Sequence, residues 1–442
     1  MKEKDSILKA GGVSYVLPFI LITTCFALWG FANDITNPMV KAFSKIFRMS
    51  VTQGSLVQVA FYGGYFCMAL PAAMFIRRFS YKAGVLVGLG LYALGALLFL
   101  PAKSVGVYGF FLIAYFIMTC GLSFLETSCN PYILSMGTEE TSTRRLNFAQ
   151  CFNPIGSLMG MCVAMNFIQA RLHPASTAER ALLDDASFEA MKQTDLDVLT
   201  GPYWVVGLVI IVMFVLILVT RMPKNADKDH EMNIGPVLKR LLHRPQYWEG
   251  VIAQFFYVGV QIMCWTFIIQ YGTRVFMAEG MDEQAAEVLS QKYNIAAMIL
   301  FVTCRFLCTW LMKYLKPAKL LTIFAVGGMI ATAGVIFLQN RLGLYCLVAV
   351  SGFMSLMFPT IYGIALGGLG DDAKFGAAGL IMAILGGSVL PPLQAWIIDK
   401  GAIGFLPAVN ASFILPFICF IVVCFYGIRT SRIHLAGVKN KS

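Results

Sequence analysis

GLSFLETSCNPY, Gly121 to Tyr132, lies near the end of a long apolar run that begins around Val107. In its middle stands one carboxylate, Glu126, with Asn130 one helical turn later and Pro131 immediately after. An acid at the centre of a membrane helix costs about 3 kcal/mol even on insertion scales. Residues of this kind face a bundle interior or a water-filled cavity, and they mark substrate or ion pathways. The stretch therefore reads as a membrane-spanning helix with a functional interior face.

The composition agrees. Of 442 residues, 58% are hydrophobic and 13% charged, and the mean hydropathy is +0.73. A soluble protein carries about 25% charged residues. The expected class is an all-α membrane protein with the lipid bilayer as its surroundings. The formal net charge is +11, but the basic residues sit in loops, where they orient helices, so no nucleic-acid partner is expected. Twelve cysteines are scattered through apolar runs with no CxxC or Cys/His metal spacing. They read as small buried hydrophobes. The charged start, MKEKDSILKAGG, precedes a run too long for a signal peptide and without a cleavage site, so that run reads as the first permanent span.

About 20 apolar residues cross the hydrocarbon core. Twelve runs qualify, near 15–40, 54–76, 83–101, 107–136, 145–170, 201–221, 248–272, 287–312, 320–339, 343–369, 375–398 and 404–428. Residues 171–200 read as a polar, acidic-rich loop, and 222–247 as the longest basic connection. With the amino terminus inside, 22 Lys and Arg fall in inner loops and 10 in outer ones, which places both termini in the cytoplasm. A shift of 231 residues lays Gly121 on Gly352, Gly137 on Gly368 and Glu140 on Asp371. This weak internal repeat joins spans four and ten, as two six-span halves require. The expected organisation is a bundle over 1–221, a cytoplasmic linker over 222–247 and a second bundle over 248–442.

Polar residues inside the spans mark the candidate site. Trp29, Asn33, Thr36 and Asn37 share one face of span one, with Asp34 rotated about 100° away and Pro38 interrupting the helix. Small polar residues also glue helices together, but an acid and a tryptophan on one short stretch favour a cavity. Glu126 and Asn130 share a face of span four. Gln150, Asn153 and Ser157 share one of span five, and Gln254, Tyr257, Gln261 and Trp265 one of span seven. Amides that both donate and accept suit sugar hydroxyls, and aromatic rings suit a sugar's apolar face. Span ten carries Phe358, Pro359 and Tyr362, the proline allowing a flexible or broken helix. Arg305 in span eight either snorkels to the cytoplasmic face or pairs as part of a gate. The sequence carries no Walker A motif, HExxH, nucleophile elbow or selectivity-filter loop.

The motifs FALWGFAND, QVAFYGGYF, RRFSYKAGVLVGLGLYALGALLF, GLSFLETSCNPY, RRLNFAQCFN, AQFFYVGVQIMCWTFIIQY and FPTIYGIAL span nearly the whole chain. In them the chain resembles the L-fucose–proton symporters of the major facilitator superfamily. The resemblance implies twelve transmembrane helices in two pseudosymmetric six-helix bundles, working by alternating access. It implies uptake of L-fucose, a 6-deoxyhexose, driven by protons across a bacterial inner membrane, with no enzymatic step and no cofactor beyond the coupling proton. Glu126 is the implied proton-coupling residue, with Asp34 as a second. Trp29, Asn33, Asn37, Asn130, Gln150, Asn153, Tyr257, Gln261, Trp265 and Tyr362 are the expected substrate contacts. Arg77, Arg78, Arg144 and Arg305 are the expected gating residues, and a monomer is expected.

The sequence departs from the symporter pattern in one place. That pattern has two asparagines in span one and, after two more residues, an acid. Here the second asparagine position holds Asp34 and the acid position holds Asn37. Relatives carry glucose, galactose or other hexoses, so these remain alternative substrates. Sodium remains an alternative coupling ion, and a sugar sensor is the non-transporting alternative.

Overall fold

The computed structural model describes residues 9–10, 13–136, 149–222, 239–311, 314–367, 369 and 373–439. Helices dominate, as hydrocarbon demands: a spanning segment must satisfy its backbone hydrogen bonds internally. Strand structure among these residues is limited to two short antiparallel ladders, Lys9–Ala10 with Val13–Ser14 and Ala402–Ile403 with Leu406–Pro407. Among the described residues, ten helical segments are long and apolar enough to cross a membrane. The remaining two of the twelve runs are the fifth, carried by a helix at Phe152–Val163 that continues as a π turn, Ala164–Ile168, and the eighth, carried by Glu283–Leu311. All twelve cysteines are free.

The chain packs into two compact units whose boundaries do not follow the two sequence halves. Unit 1 comprises Met1–Thr36, Gly63–His173 and Asp184–Glu231, and unit 2 comprises Asn37–Tyr62, Pro174–Leu183 and Met232–Ser442.

Unit 1 begins with α1, Val16–Thr36, which stops where Pro38 lacks a backbone donor. Helix α2, Met39–Ile46, and the one-turn α3, Val51–Gly54, follow in unit 2. Ser50 caps α3 in a full capping box with Gln53. Then come α4 (Leu56–Arg78), α5 (Tyr81–Leu97, capped by Ser80), α6 (Phe99–Val105), α7 (Tyr108–Ser135) and α8 (Phe152–Val163). Helix α1 packs on α8 and α5 on α7. The first contact depends on absent side chains. A Cβ at Gly156 would collide with the Ala27 carbonyl, and one at Gly30 with the Asn153 carbonyl. Small residues at a membrane helix interface let backbones approach, so dispersion contacts replace the missing hydrophobic drive.

Residues 171–200, expected as a loop, are largely helical. Helix α9, Thr177–Leu182, is capped by Ser176 with Glu179 in a capping box. Helix α10 runs from Asp185 to Val219, capped by Asp184. Ala, Glu, Met, Lys and Gln are strong helix formers and extend span six by four turns beyond its apolar part. Inside unit 1, α10 is tied down by a buried hydroxyl pair, Tyr115 to Tyr203 at 2.5 Å, with Phe99 stacked on Tyr203 at 4.0 Å.

In unit 2, α11 (Pro245–Ala278) is the central element, buried over most of its length. It packs on α12 (Glu283–Leu311), α17 (Gly386–Ile398) and α19 (Ile414–Lys439). Between these lie α13 (Pro317–Phe337), α14 (Arg341–Met354), α15 (Met357–Leu366), α16 (Ala373–Met382) and the one-turn α18 (Ala408–Ala411). The segment 37–62 sits against this group. Asp399, just past α17, accepts from the Val51 and Thr52 amides at 2.8 Å each and from the Thr52 hydroxyl at 2.5 Å. A carboxylate here offsets the positive end of the helix that starts at α3. Ser388 of α17 donates to the Val59 carbonyl at 3.0 Å.

Candidate functional site

Glu126 lies two turns before the end of the described part of α7, half-buried, with no ion pair to any described residue. Asn130, one turn on, turns its amide N–H back to the Glu126 carbonyl at 3.0 Å. Its oxygen accepts from Gln150 Nε2 at 3.1 Å. Gln150 is exposed and precedes α8 by two residues. A single side-chain bond thus joins the Asn130 amide, one turn after the acid of α7, to the Gln150 amide at the start of α8.

One turn deeper, Asn153 faces α1. With its amide oriented so that its oxygen meets the donors around it, that oxygen accepts from Trp29 Nε1 at 2.9 Å and from the Gly30 amide at 3.3 Å. Trp29 is 8% exposed and stacks on Phe26 at 4.7 Å. Ser157 donates to the Gly30 carbonyl at 3.3 Å, one turn further along α8. Asn33 is half-buried, its oxygen accepting from the Tyr65 hydroxyl at 3.3 Å. Asp34, rotated off this face as its position on the helix requires, is buried at 3% exposure. Unit 1 therefore joins Trp29 to Asn153 and Asn130 to Gln150, and holds Asn33 on Tyr65.

Unit 2 holds the remaining candidates. Asn37 lies past the end of α1 and is buried. Its oxygen accepts from Gln58 Nε2 at 3.3 Å and from the Thr266 hydroxyl at 3.5 Å. On α11 the Tyr257 hydroxyl donates to the Met354 carbonyl at 3.1 Å, and Trp265 Nε1 donates to the Ser351 hydroxyl at 3.0 Å. Gln261 is half-buried between them in sequence. Tyr257 meets Phe358 edge-on, and Phe358 stacks with Tyr362, both at 6.2 Å, so Tyr362 belongs to the same aromatic group as Tyr257. Arg305 donates to the Ser355 carbonyl at 3.1 Å and lies over the Phe301 ring at 4.7 Å. It is a half-buried cation held by a carbonyl and a ring.

Of the expected gating residues, Arg78 is exposed at the end of α4, over the Phe79 ring at 5.7 Å. The Arg77 side chain and all of Arg144 lie outside the described residues.

Tyr65, Thr266 and Ser351 hold Asn33, Asn37 and Trp265; Tyr65 and Thr266 stand in the quoted motifs of spans two and seven, but spacing names no partner for any of the three. Gln254 and Gln270 of α11 are buried, and neither amide atom finds a partner among the described residues. A buried amide with four unmet hydrogen bonds calls for water or ligand. For Gln254 the signal was present, since it stands seven residues before Gln261 on the same stripe.

Comparison with known proteins places this arrangement. The family model described as Major Facilitator Superfamily matches residues 21–384. The L-fucose-proton symporter of Haemophilus influenzae is 50% identical over 427 residues, 95% of this chain and 97% of the relative. A glucose/galactose transporter of Brucella abortus is 28% identical over 95% of each chain. The crystal structure of the E. coli fucose:proton symporter superposes with a TM-score of 0.70 at 30% identity, covering 95% of this chain and 99% of that one. The chain belongs to the major facilitator superfamily, in the family of the L-fucose–proton symporters.

Proposed function

We propose that the chain imports L-fucose together with protons by alternating access. The observation that carries this reading is Glu126: a carboxylate within a membrane helix, free of any described cation, with the Asn130–Gln150 amide pair beside it. An ionised carboxylate resists transfer into a dry cavity. Glu126 therefore takes a proton before the cavity closes and gives it up on the other side. On unit 1, sugar hydroxyls pair with the amides of Asn33, Gln150 and Asn153 while Trp29 covers an apolar face; on unit 2, the Gln261 amide is a sugar contact in its own right. Asp34 is a second proton site. No cofactor or chemical step on the sugar is involved, and the protein works as a monomer in the bacterial inner membrane. Its two six-span bundles cover 1–221 and 248–442, and both termini are cytoplasmic. Arg77, Arg78, Arg144 and Arg305 contribute to the cytoplasmic gate.

The identity of 50% to a named L-fucose-proton symporter supports the substrate. Each proton carried inward adds about 2.3 kcal/mol per 100 mV, roughly 50-fold accumulation. The test is uptake of labelled L-fucose into vesicles with an imposed inward proton gradient. Accumulation that a protonophore abolishes supports the reading. Accumulation that follows sodium at fixed pH overturns the coupling ion. The altered acid position at Asn37 favours a second reading, glucose or galactose as substrate. Uptake of either in preference to L-fucose would establish it.

A further inference from the structure

An open groove of about 770 Å³ runs between α11 and α19 of unit 2, lined among others by Glu249, Ile252, Phe425, Tyr426, Arg429 and Arg432. Its lining holds none of the sugar-site candidates on α11, Gln254 and Tyr257 included, and it carries no amide side chain. Its two ends differ in character. Glu249 lies in the second turn of α11, and Arg429 and Arg432 lie in the last described turns of α19. About one turn along each helix, away from these charges, stand Ile252 and Phe425, 47% and 68% exposed. Apolar side chains this open belong against acyl chains in a bilayer. Trp248, beside Glu249, is also exposed, and its indole N–H donates to the Leu242 carbonyl at 2.7 Å. Tryptophans of this kind settle at the headgroup level. The groove thus has a charged end at the interface and an apolar end in the hydrocarbon.

The charges choose the occupant. Arg429 pairs with Glu249 at 2.9 Å. Arg432 is exposed, and no described carboxylate lies within ion-pair distance of it. Two guanidinium groups against one carboxylate leave a single positive charge, which a singly charged phosphodiester neutralises. Guanidinium groups also match phosphate oxygens in a planar, two-pronged geometry. Basic pockets between membrane helices at the interface bind anionic headgroups.

We propose that this groove binds one anionic glycerophospholipid, its phosphate between Arg429 and Arg432 and its acyl chains along Ile252 and Phe425. That the lipid comes from the cytoplasmic leaflet rests on the orientation proposed above; the binding itself does not.

The test is native mass spectrometry of the purified full-length protein in detergent, titrated with phosphatidylglycerol or phosphatidylcholine of identical acyl chains. No leaflet exists there, so failure cannot come from the orientation. Each arginine contributes about fivefold. Wild type is expected to retain phosphatidylglycerol over phosphatidylcholine by at least that factor. Arg432→Gln, at an exposed position, lowers the preference about fivefold with an unchanged melting temperature. Glu249→Gln, which removes the competing carboxylate, raises it. Equal retention of the two lipids by wild type overturns the proposal, as does an unchanged preference in both variants.

Discussion

Glu287→Gln is the substitution whose cost the structure states most fully. On one face of α2, Lys41 and Lys45 are spaced i, i+4, and on one face of α12 Glu283 and Glu287 are spaced the same way. Lys41 reaches Glu283 at 3.2 Å and Glu287 at 3.6 Å, and Lys45 reaches Glu287 at 3.7 Å. The side chains of Lys45 and Glu287 are 1% and 3% exposed. At that separation and an effective dielectric of 20 the attraction is about 4.5 kcal/mol. Desolvating both ions offsets most of it, so the pair adds little net stability while intact. Removing one partner is different, since an uncompensated buried ammonium costs about 3–5 kcal/mol. Hydrogen exchange of the α2 amides measures how firmly this segment sits on α12. Lowering its local opening free energy by that amount speeds exchange by roughly two to three and a half decades. The double variant Lys45→Met/Glu287→Leu replaces the pair with apolar volume and is expected to recover most of the protection. Exchange in Glu287→Gln within threefold of wild type would refute the reasoning. So would a double variant as labile as the single one.

Glu283 stands before the apolar part of α12, where burial raises its carboxyl but Lys41, the Thr177 amide and hydroxyl, and Lys45 outweigh burial and hold it at about 2. A folded value below the unfolded one means that its stabilisation is complete above about 4.5 and is lost as pH falls toward 2. Exchange protection of residues 174–183 should be flat from pH 7 to 5 and fall below 4. Glu126→Gln should abolish sugar-dependent alkalinisation while sugar exchange across the vesicle survives; normal alkalinisation would remove Glu126 from the coupling. Gly156→Ile drives a branched side chain into the α1 backbone and should lower the melting temperature in detergent, by more than the about 1–3 kcal/mol of ordinary overpacking because a carbonyl cannot repack.

The membrane class and the helical runs were legible because hydrocarbon leaves one solution for a long apolar segment, and length alone then sets the spans. Composition misleads at 171–200, where polarity suggests a loop and the structure is helical. A capping box at Ser176 and a cap at Asp184 start helices that need no membrane, and both caps are present in the sequence. The shared face of Gln150, Asn153 and Ser157 was legible from periodicity, and Asn153 and Ser157 do turn toward α1. What periodicity does not give is the partner. Lys41 and Lys45 on one side and Glu283 and Glu287 on the other are complementary pairs, yet some 240 residues separate them and spacing says nothing of their meeting. Asp399 on the start of α3 was invisible for the same reason.

The displaced acid of span one is where local structure bears most directly on function. Asp34 lies inside the regular part of α1, whereas Asn37 lies beyond its last residue, Thr36, where Pro38 has ended the ladder. The Asn37 oxygen accepts from Gln58 and Thr266. A carboxylate is nearly isosteric with that amide, would accept from both donors, and would gain from charge-assisted bonds. The surroundings of residue 37 therefore still suit the acid that the symporter pattern places there. If Asp34 has taken over a proton-carrying role, Asp34→Asn lowers proton-driven accumulation toward simple equilibration, and Asn37→Asp in that background restores a substantial part of it. Uptake with and without a protonophore separates accumulation from facilitated entry. Full accumulation by Asp34→Asn would make Asp34 a helix-packing residue. A double variant that stays uncoupled, while Asn37→Asp alone remains active, would show that the two positions do not exchange roles and that, in α1, only Asp34 can serve the proton path beside Glu126.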